Sequence, residues 1–300
     1  MQLNESLSEQ IEDLAMGKVL LGDYDADGDI DIIISGQAHS IKTLIYRNDG
    51  ASVYTEIDPG FPELLFPDLS WSDFDGDSDL DIFLSGAQEI NDTLFPESHL
   101  YIFQDTSFTE LPANIEGVYS GCSGWADFDL DGDRDLIISG AKETPGNAWV
   151  TPTLCRIYLN DGSGQFSEIQ AGIKAVFNAS IDIADYDNDQ YPDIITTGEL
   201  YDDGGNWHRA TFLYHNDGAN VFSHIEAGLP ALRAGDVSFG DYDDDGYTDI
   251  LLTGDPLSPT NLVYIFRNNT MGNFYDIGIE IIGTEEGTID WADYDNDGDL

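Results

Sequence analysis

Short apolar runs separated by acidic, glycine-containing turns recur along the whole chain, and no helical periodicity flanks them. One class of run enters an aspartate-rich turn. It ends in a large residue followed by a small one: Leu21-Gly22, Trp71-Ser72, Trp125-Ala126, Ile183-Ala184, Phe239-Gly240 and Trp291-Ala292. This pairing predicts a crowded inner strand, with the bulky side chain filling the gap to a neighbouring sheet and the small one facing a tight axis. A second run leaves the turn, as in Ile32-Ile33-Ile34-Ser35-Gly36 and Leu136-Ile137-Ile138-Ser139-Gly140. Short β-branched runs closed by glycine predict buried strands. A third run (Leu44-Ile45-Tyr46, Arg156-Ile157-Tyr158, Phe212-Leu213-Tyr214) precedes Asn-Asp-Gly at 48–50, 160–162 and 216–218. Those tripeptides are hairpin signals, and a fourth short strand follows each.

The turn between the first and second runs is a nine-residue frame, D-x-D-x-D-G-x-x-D. Its copies are Asp23, Asp25, Asp27, Asp31; Asp73, Asp75, Asp77, Asp81; Asp127, Asp129, Asp131, Asp135; Asp185, Asp187, Asp189, Asp193; and Asp241, Asp243, Asp245, Asp249. A sixth begins at Asp293, Asp295, Asp297, with Asp299 at its seventh position, and the chain stops before the closing aspartate. The first aspartates lie 50 to 58 residues apart, a period that marks a stacked or radial array. Repeat units are expected at about 14–63, 64–115, 116–172, 173–228, 229–282 and, in part, 283–300, within one domain. Residues 1–13 would supply the outer strand of a closing or preceding blade. Four antiparallel strands per unit with no helix between units predicts an all-β fold, a β-propeller of four-stranded blades.

The loop chemistry points to a cation. Carboxylates at positions 1, 3, 5 and 9 and the carbonyl at position 7 (Asp29, Asp79, Asp133, Tyr191, Tyr247) can converge on one ion, and glycine at position 6 permits the left-handed backbone the turn needs. The loops hold no Cys or His, which excludes zinc and soft metals, and flexible all-oxygen coordination favours Ca2+ over Mg2+. The glutamate that closes an EF-hand at position 12 is replaced by Ile34, Leu84, Ile138, Thr196 and Leu252. Ser78 and Gln190 stand at position 6 where glycine is expected, so weaker sites are expected there, the fourth weakest.

Composition narrows the partners. Against 59 acidic residues stand 10 basic ones, a formal charge of −49. Bound dications would offset only part of it, so nucleic acid and anionic membranes would be repelled. With 41% apolar residues the chain is globular, and no apolar run is long enough for membrane insertion. Cys122 and Cys155 fall on strands two apart, too distant for a disulfide, and are expected as buried thiols.

The loops, the Ser/Thr-Gly after the second strand and the Asn-Asp-Gly turns resemble the FG-GAP/VCBS repeats found in the integrin alpha-subunit propeller and in many secreted bacterial proteins. The resemblance spans nearly the whole chain. It implies a calcium-loaded propeller, usually seven-bladed, outside the cytoplasm, acting in adhesion or carbohydrate recognition. The expected parent is a longer secreted or cell-surface protein with flanking domains. Connections between second and third strands vary in length and open on the face away from the metal loops. They carry Phe95, Trp149, Tyr201, Trp207 and His208 as candidate ligand contacts, since aromatic rings beside Asp and Asn suit sugar stacking. The first expectation is a glycan- or protein-binding module and not an enzyme. The alternatives are a calcium-dependent polysaccharide lyase, for which His208-Arg209 is the one suggestive pair, and a non-binding scaffold.

Overall fold

The computed structural model describes residues 11–51, 53–142, 152–202, 205–256, 262–269, 272–279, 281–284, 287–293 and 300. The strand expected at 3–7, the candidate contact Trp149 and the metal-loop residues Asp295, Asp297 and Asp299 lie outside them.

Among the described residues five antiparallel sheets follow one another, each a blade of a β-propeller. The first holds β1 (Ala15–Gly22), β2 (Asp31–Gln37), β3 (Ile41–Asn48) and β4 (Tyr54–Ile57). The second holds β5 (Leu65–Ser72), β6 (Asp81–Ile90), β7 (Thr93–Gln104) and β8 (Ser107–Leu111). The third holds β9 (Tyr119–Ala126), β10 (Asp135–Ala141), β11 (Thr153–Asn160) and β12 (Phe166–Ile169). The fourth holds β13 (Phe177–Ala184), β14 (Asp193–Tyr201), β15 (Trp207–Asn216) and β16 (Phe222–Ile225). The fifth holds β17 (Arg233–Gly240), β18 (Asp249–Asp255), β19 (Leu262–Asn268) and β20 (Phe274–Asp276), and β21 (Ile281–Ile282) also pairs with β19.

The first strand of each blade packs against that of the next, β1 on β5, β5 on β9, β9 on β13 and β13 on β17. Second-strand side chains alternate between the two inter-blade layers. Ile137 joins Ile157, Ile194 and Tyr214 on one side, while Leu136 and Ile138 join Phe83 and Leu100 on the other. Burial on both faces explains why these strands are continuous apolar runs rather than alternating ones. On the first blade, Val19 and Leu21 remain 61% and 63% exposed.

The large residue of the pair fills the gap to the neighbouring blade as expected, with Trp125 stacked on Phe74 of the blade before it, but the small residue does different work. The small residue makes room for the large residue of the following blade. A Cβ on Gly22 would come within 2.6 Å of the Trp71 ring, and one on Gly240 within 2.5 Å of the Trp291 ring.

Two long connections are also corrected. Residues 87–99 are an extended hairpin, with Phe95 paired to Gln88 and a tight turn at Asn91-Asp92, both at positive φ (53° and 59°). Residues 199–201 and 207–210 are likewise strand, with Tyr201 paired to Trp207 and Leu200 to His208. Cys122 and Cys155 are buried free thiols that flank Ser139 on the strand between them. Burial pushes both thiols up, that of Cys155 to about 12.

Candidate metal centre

Each Asp loop joins the first strand of a blade to the second, and its closing aspartate is the first residue of the second strand. Asp31, Asp81, Asp135, Asp193 and Asp249 are all completely buried. One oxygen of each accepts the amide of loop position 2: Tyr24, Phe74, Phe128, Tyr186 or Tyr242, at 2.8–3.2 Å. The other accepts an amide at the end of the third strand: Asn48, Phe103, Asn160, Asn216 or Asn268, at 2.7–3.0 Å. Burial raises these carboxyls, Asp81 and Asp135 to about 7 and Asp249 to about 6.

The remaining carboxylates shape the loop. In the third loop, Asp127 accepts the amides of Asp131 and Gly132 at 3.0 Å, and Asp131 accepts that of Asp133 at 3.0 Å. The first, fourth and fifth loops repeat this pattern. In the second, Asp73 takes the amides of Gly76 and Ser78 instead. Ser78 and Gln190, at position 6, are held at φ 83°, the left-handed conformation expected of glycine. Position 4 is left-handed too, at Ala26, Leu130, Asn188 and Asp244. No residue preference marks that position in the sequence.

Position 3 behaves differently from the others. The Oδ1 atoms of Asp25, Asp75, Asp129, Asp187 and Asp243 are shielded from solvent and have no hydrogen-bond partner. A buried carboxylate oxygen without a donor is costly, and it recurs at the same position in all five described loops. Burial first, and the position-5 carboxylate second, raise Asp25, Asp75 and Asp129. Clusters such as Asp23, Asp25, Asp27 and Asp127, Asp129, Asp131 hold one oxygen from each side chain within 4.8 Å of the others. Converging hard oxygens, one of them lacking any donor, fit a calcium ion. Position 7 is fixed by its own amide, donated to the position-5 carboxylate at Asp29, Asp79, Asp133, Tyr191 and Tyr247.

The FG-GAP-like repeat profile matches residues 23–84, 127–196 and 241–300, more than half of the chain. The chain belongs to the FG-GAP-like repeat family. No curated protein matches its sequence significantly. Among solved structures, an endo-1,4-beta-xylanase from Bacteroides thetaiotaomicron VPI-5482 is similar at 10% identity with a TM-score of 0.44, covering 92% of this chain and 97% of that one. That likeness is too slight to carry an argument about substrate.

In this FG-GAP-like chain the loops also staple neighbouring blades. The position-2 aromatic inserts into the next blade, Tyr24 against Phe103 and Phe108, Phe74 against Trp125 and Phe166, Phe128 against Phe222, and Tyr186 against Phe274. Its carbonyl accepts the side-chain amide of an asparagine there: Asn160 to Phe74 (2.6 Å), Asn216 to Phe128 (3.0 Å) and Asn268 to Tyr186 (2.8 Å). In the sequence Asn160 and Asn216 read as turn residues only. An aromatic at position 2 of every copy was the available signal.

The residue just before this asparagine position varies, Arg47, Ile102, Leu159, His215 and Arg267, and two of these reach the loop carboxylates. Arg267 lies 2.7 Å from Asp243 and 2.9 Å from Asp245, whereas Arg47 turns aside to Asp49 at 2.8 Å. His215 corrects the expectation that no imidazole reaches a loop. It comes from β15, outside the nine-residue frame, and its Nδ1 lies 3.2 Å from Asp193 and 3.4 Å from Asp187.

The candidate ligand contacts are dispersed. Tyr201 stacks on Phe177 at 5.8 Å, and Trp207, 38% exposed, has the guanidinium carbons of Arg209 and Arg233 each 5.0 Å from its ring. Both arginines bind Asp255, at 2.6 and 2.7 Å. His208 pairs with Asp202 at 3.0 Å, and Phe95 stands on the second blade, away from this group. Arg233 and Glu199 also line a cavity of about 550 Å³ bounded by the starts of β5, β9, β13 and β17. There the strands bulge, and Phe66, Ser120, Asn178 and Ala234 are left-handed at φ 44–53°.

Proposed function

We propose that the chain is a calcium-stabilised propeller module of an extracellular or cell-surface protein, and that it binds a glycan or protein ligand without turning it over. The observation that carries the calcium half is the shielded, donorless Oδ1 at position 3 of every described loop. An ion there would satisfy that oxygen and offset like-charge repulsion within the cluster. Because each loop is also the staple to the next blade, its ion would stiffen the radial array rather than act on substrate.

The binding half rests on the opposite face. Trp207 has two guanidinium groups against its ring, those of Arg209 and Arg233, and Arg233 lines the cavity. Flat aromatic surface flanked by fixed donors suits a sugar ring or an extended peptide. Family membership fits such a role, and among the described residues no helix is long and apolar enough to cross a membrane.

A glycan array and a panel of extracellular-matrix proteins, probed with and without EGTA, test this. Calcium-dependent binding that W207A abolishes is the expected result. Release of unsaturated sugars would replace the module with a lyase. No binding in either condition would leave a scaffold.

A further inference from the structure

We propose that the fourth loop is a mixed nitrogen–oxygen site that selects a first-row transition-metal dication, of which Zn2+ is the probe, over calcium. The proposal rests on reading the loops as cation sites. It adds His215 as a ligand, with Asp187 and Asp193.

Three observations single this loop out. His215, Asp187 and Asp193 bring one donor atom each within 4.8 Å of one another. Donors that share an ion bound at about 2.1 Å lie roughly 3 Å apart. The Nδ1 distances of 3.2 Å to Asp193 Oδ1 and 3.4 Å to Asp187 Oδ2 approach that spacing. Asp187 Oδ1, on the same carboxylate, is shielded and has no donor. The far side of the ring is also prepared, because Nε2 faces Asp217 Oδ1 at 3.6 Å and Asp189 Oδ2 at 3.9 Å. A ligating imidazole needs its proton on the other nitrogen, held by a carboxylate, and Asp217 is placed to hold it.

Chemistry then separates this loop from the rest. Calcium takes oxygen ligands, whereas imidazole with carboxylates suits zinc and its neighbours in the first row. At the equivalent position Ile102 and Leu159 offer no donor, Arg47 is held by Asp49, and Arg267 is itself a cation. Gln190 in place of the position-6 glycine is a further departure of this loop from the calcium frame.

The test is calorimetric titration of the whole chain, stripped by chelator, with Zn2+ alone and Ca2+ alone. Wild type is compared with H215Q and with H99Q, since His99 also faces two carboxylates, Glu97 at 3.2 Å and Glu110 at 2.8 Å. We expect one zinc ion per chain to bind at least about 100-fold more tightly in wild type and H99Q than in H215Q, with D217N losing about 10-fold. The calcium heats of the other loops should be unchanged. Equal zinc affinity in wild type and H215Q, or loss in H99Q instead, overturns the proposal while leaving the calcium reading intact. His215-dependent zinc binding with no calcium heat does the reverse. If H215Q does not fold, cobalt-loaded wild type decides: a hyperfine-shifted imidazole N–H resonance supports the site, and its absence overturns it.

Discussion

The third and fifth metal loops share one backbone frame and differ, among other positions, in the charge that the third strand brings to it. Both bury their closing aspartate, Asp135 or Asp249, and satisfy both of its oxygens with backbone amides. Both leave the position-3 Oδ1, of Asp129 or Asp243, shielded and donorless. At the equivalent position of the third blade stands Leu159, which brings no charge. Over the fifth loop sits Arg267, whose guanidinium already touches Asp243 and Asp245. The fifth loop carries part of its counter-charge in Arg267, which Leu159 does not supply at the third. The backbone frame and the demand for positive charge are therefore separable, because the first is set by amides and the second by carboxylates crowded together.

The largest effect should come from pH in chelated protein, where both loops respond. Burial lifts Asp81 and Asp135 to about 7 and Asp249 to about 6, above their unfolded values. Their contribution is complete below the unfolded range near pH 4 and is lost as pH rises through 6 to 7. Chelated protein should thus melt higher at pH 5 than at pH 8, by several kcal/mol of stability. Added calcium should reverse the order, since protons compete with the ion. Melting curves at both pH values, with and without calcium, check this, and an unchanged order would contradict it.

Next in size, D135A and D249A should each cost about 4 kcal/mol, because two buried amides lose their acceptor. Urea unfolding should show this loss already in EDTA and a larger one in calcium, because position 9 serves both the frame and the ion. D129N, by contrast, should cost about 2–3 kcal/mol in calcium and little in EDTA. D243N should show a smaller calcium dependence because of Arg267. The smallest effect is the exchange of these two third-strand side chains. R267L should tighten calcium at the fifth loop, and L159R should weaken it at the third, each by about 10-fold or 1.4 kcal/mol. Calorimetry that found the two loops indifferent to the swap would break the comparison.

The repeat was legible because it is local. Strands, loops and Asn-Asp-Gly turns are each encoded within a few residues, and D-x-D-x-D-G fixes both the turn and its carboxylates. What escaped depends on contacts between repeats. His215 and Arg267 reach the loops from a third strand about 20 residues downstream, across sheet register. The staple from Asn160 to Phe74 joins residues of different blades, so Asn160 looked like a turn residue alone. Gly22 was assigned to the axis, but it accommodates Trp71 from the following blade. The connections at 87–99 and 199–210 were taken for loops because their polar residues hide strand pairing. The first turns at 91–92, and in the second Asp202 donates its amide to the Asn206 carbonyl at 2.9 Å just beyond the last strand pair.

The most direct measurement is the thermal melting of the chain after exhaustive chelation and again after calcium is restored. Several ions, each contributing about 2–3 kcal/mol when well above its dissociation constant, should raise Tm by more than about 10 °C. Identical melting in the two conditions would mean that the donorless position-3 oxygens do not hold calcium, and the account of the loops would be wrong.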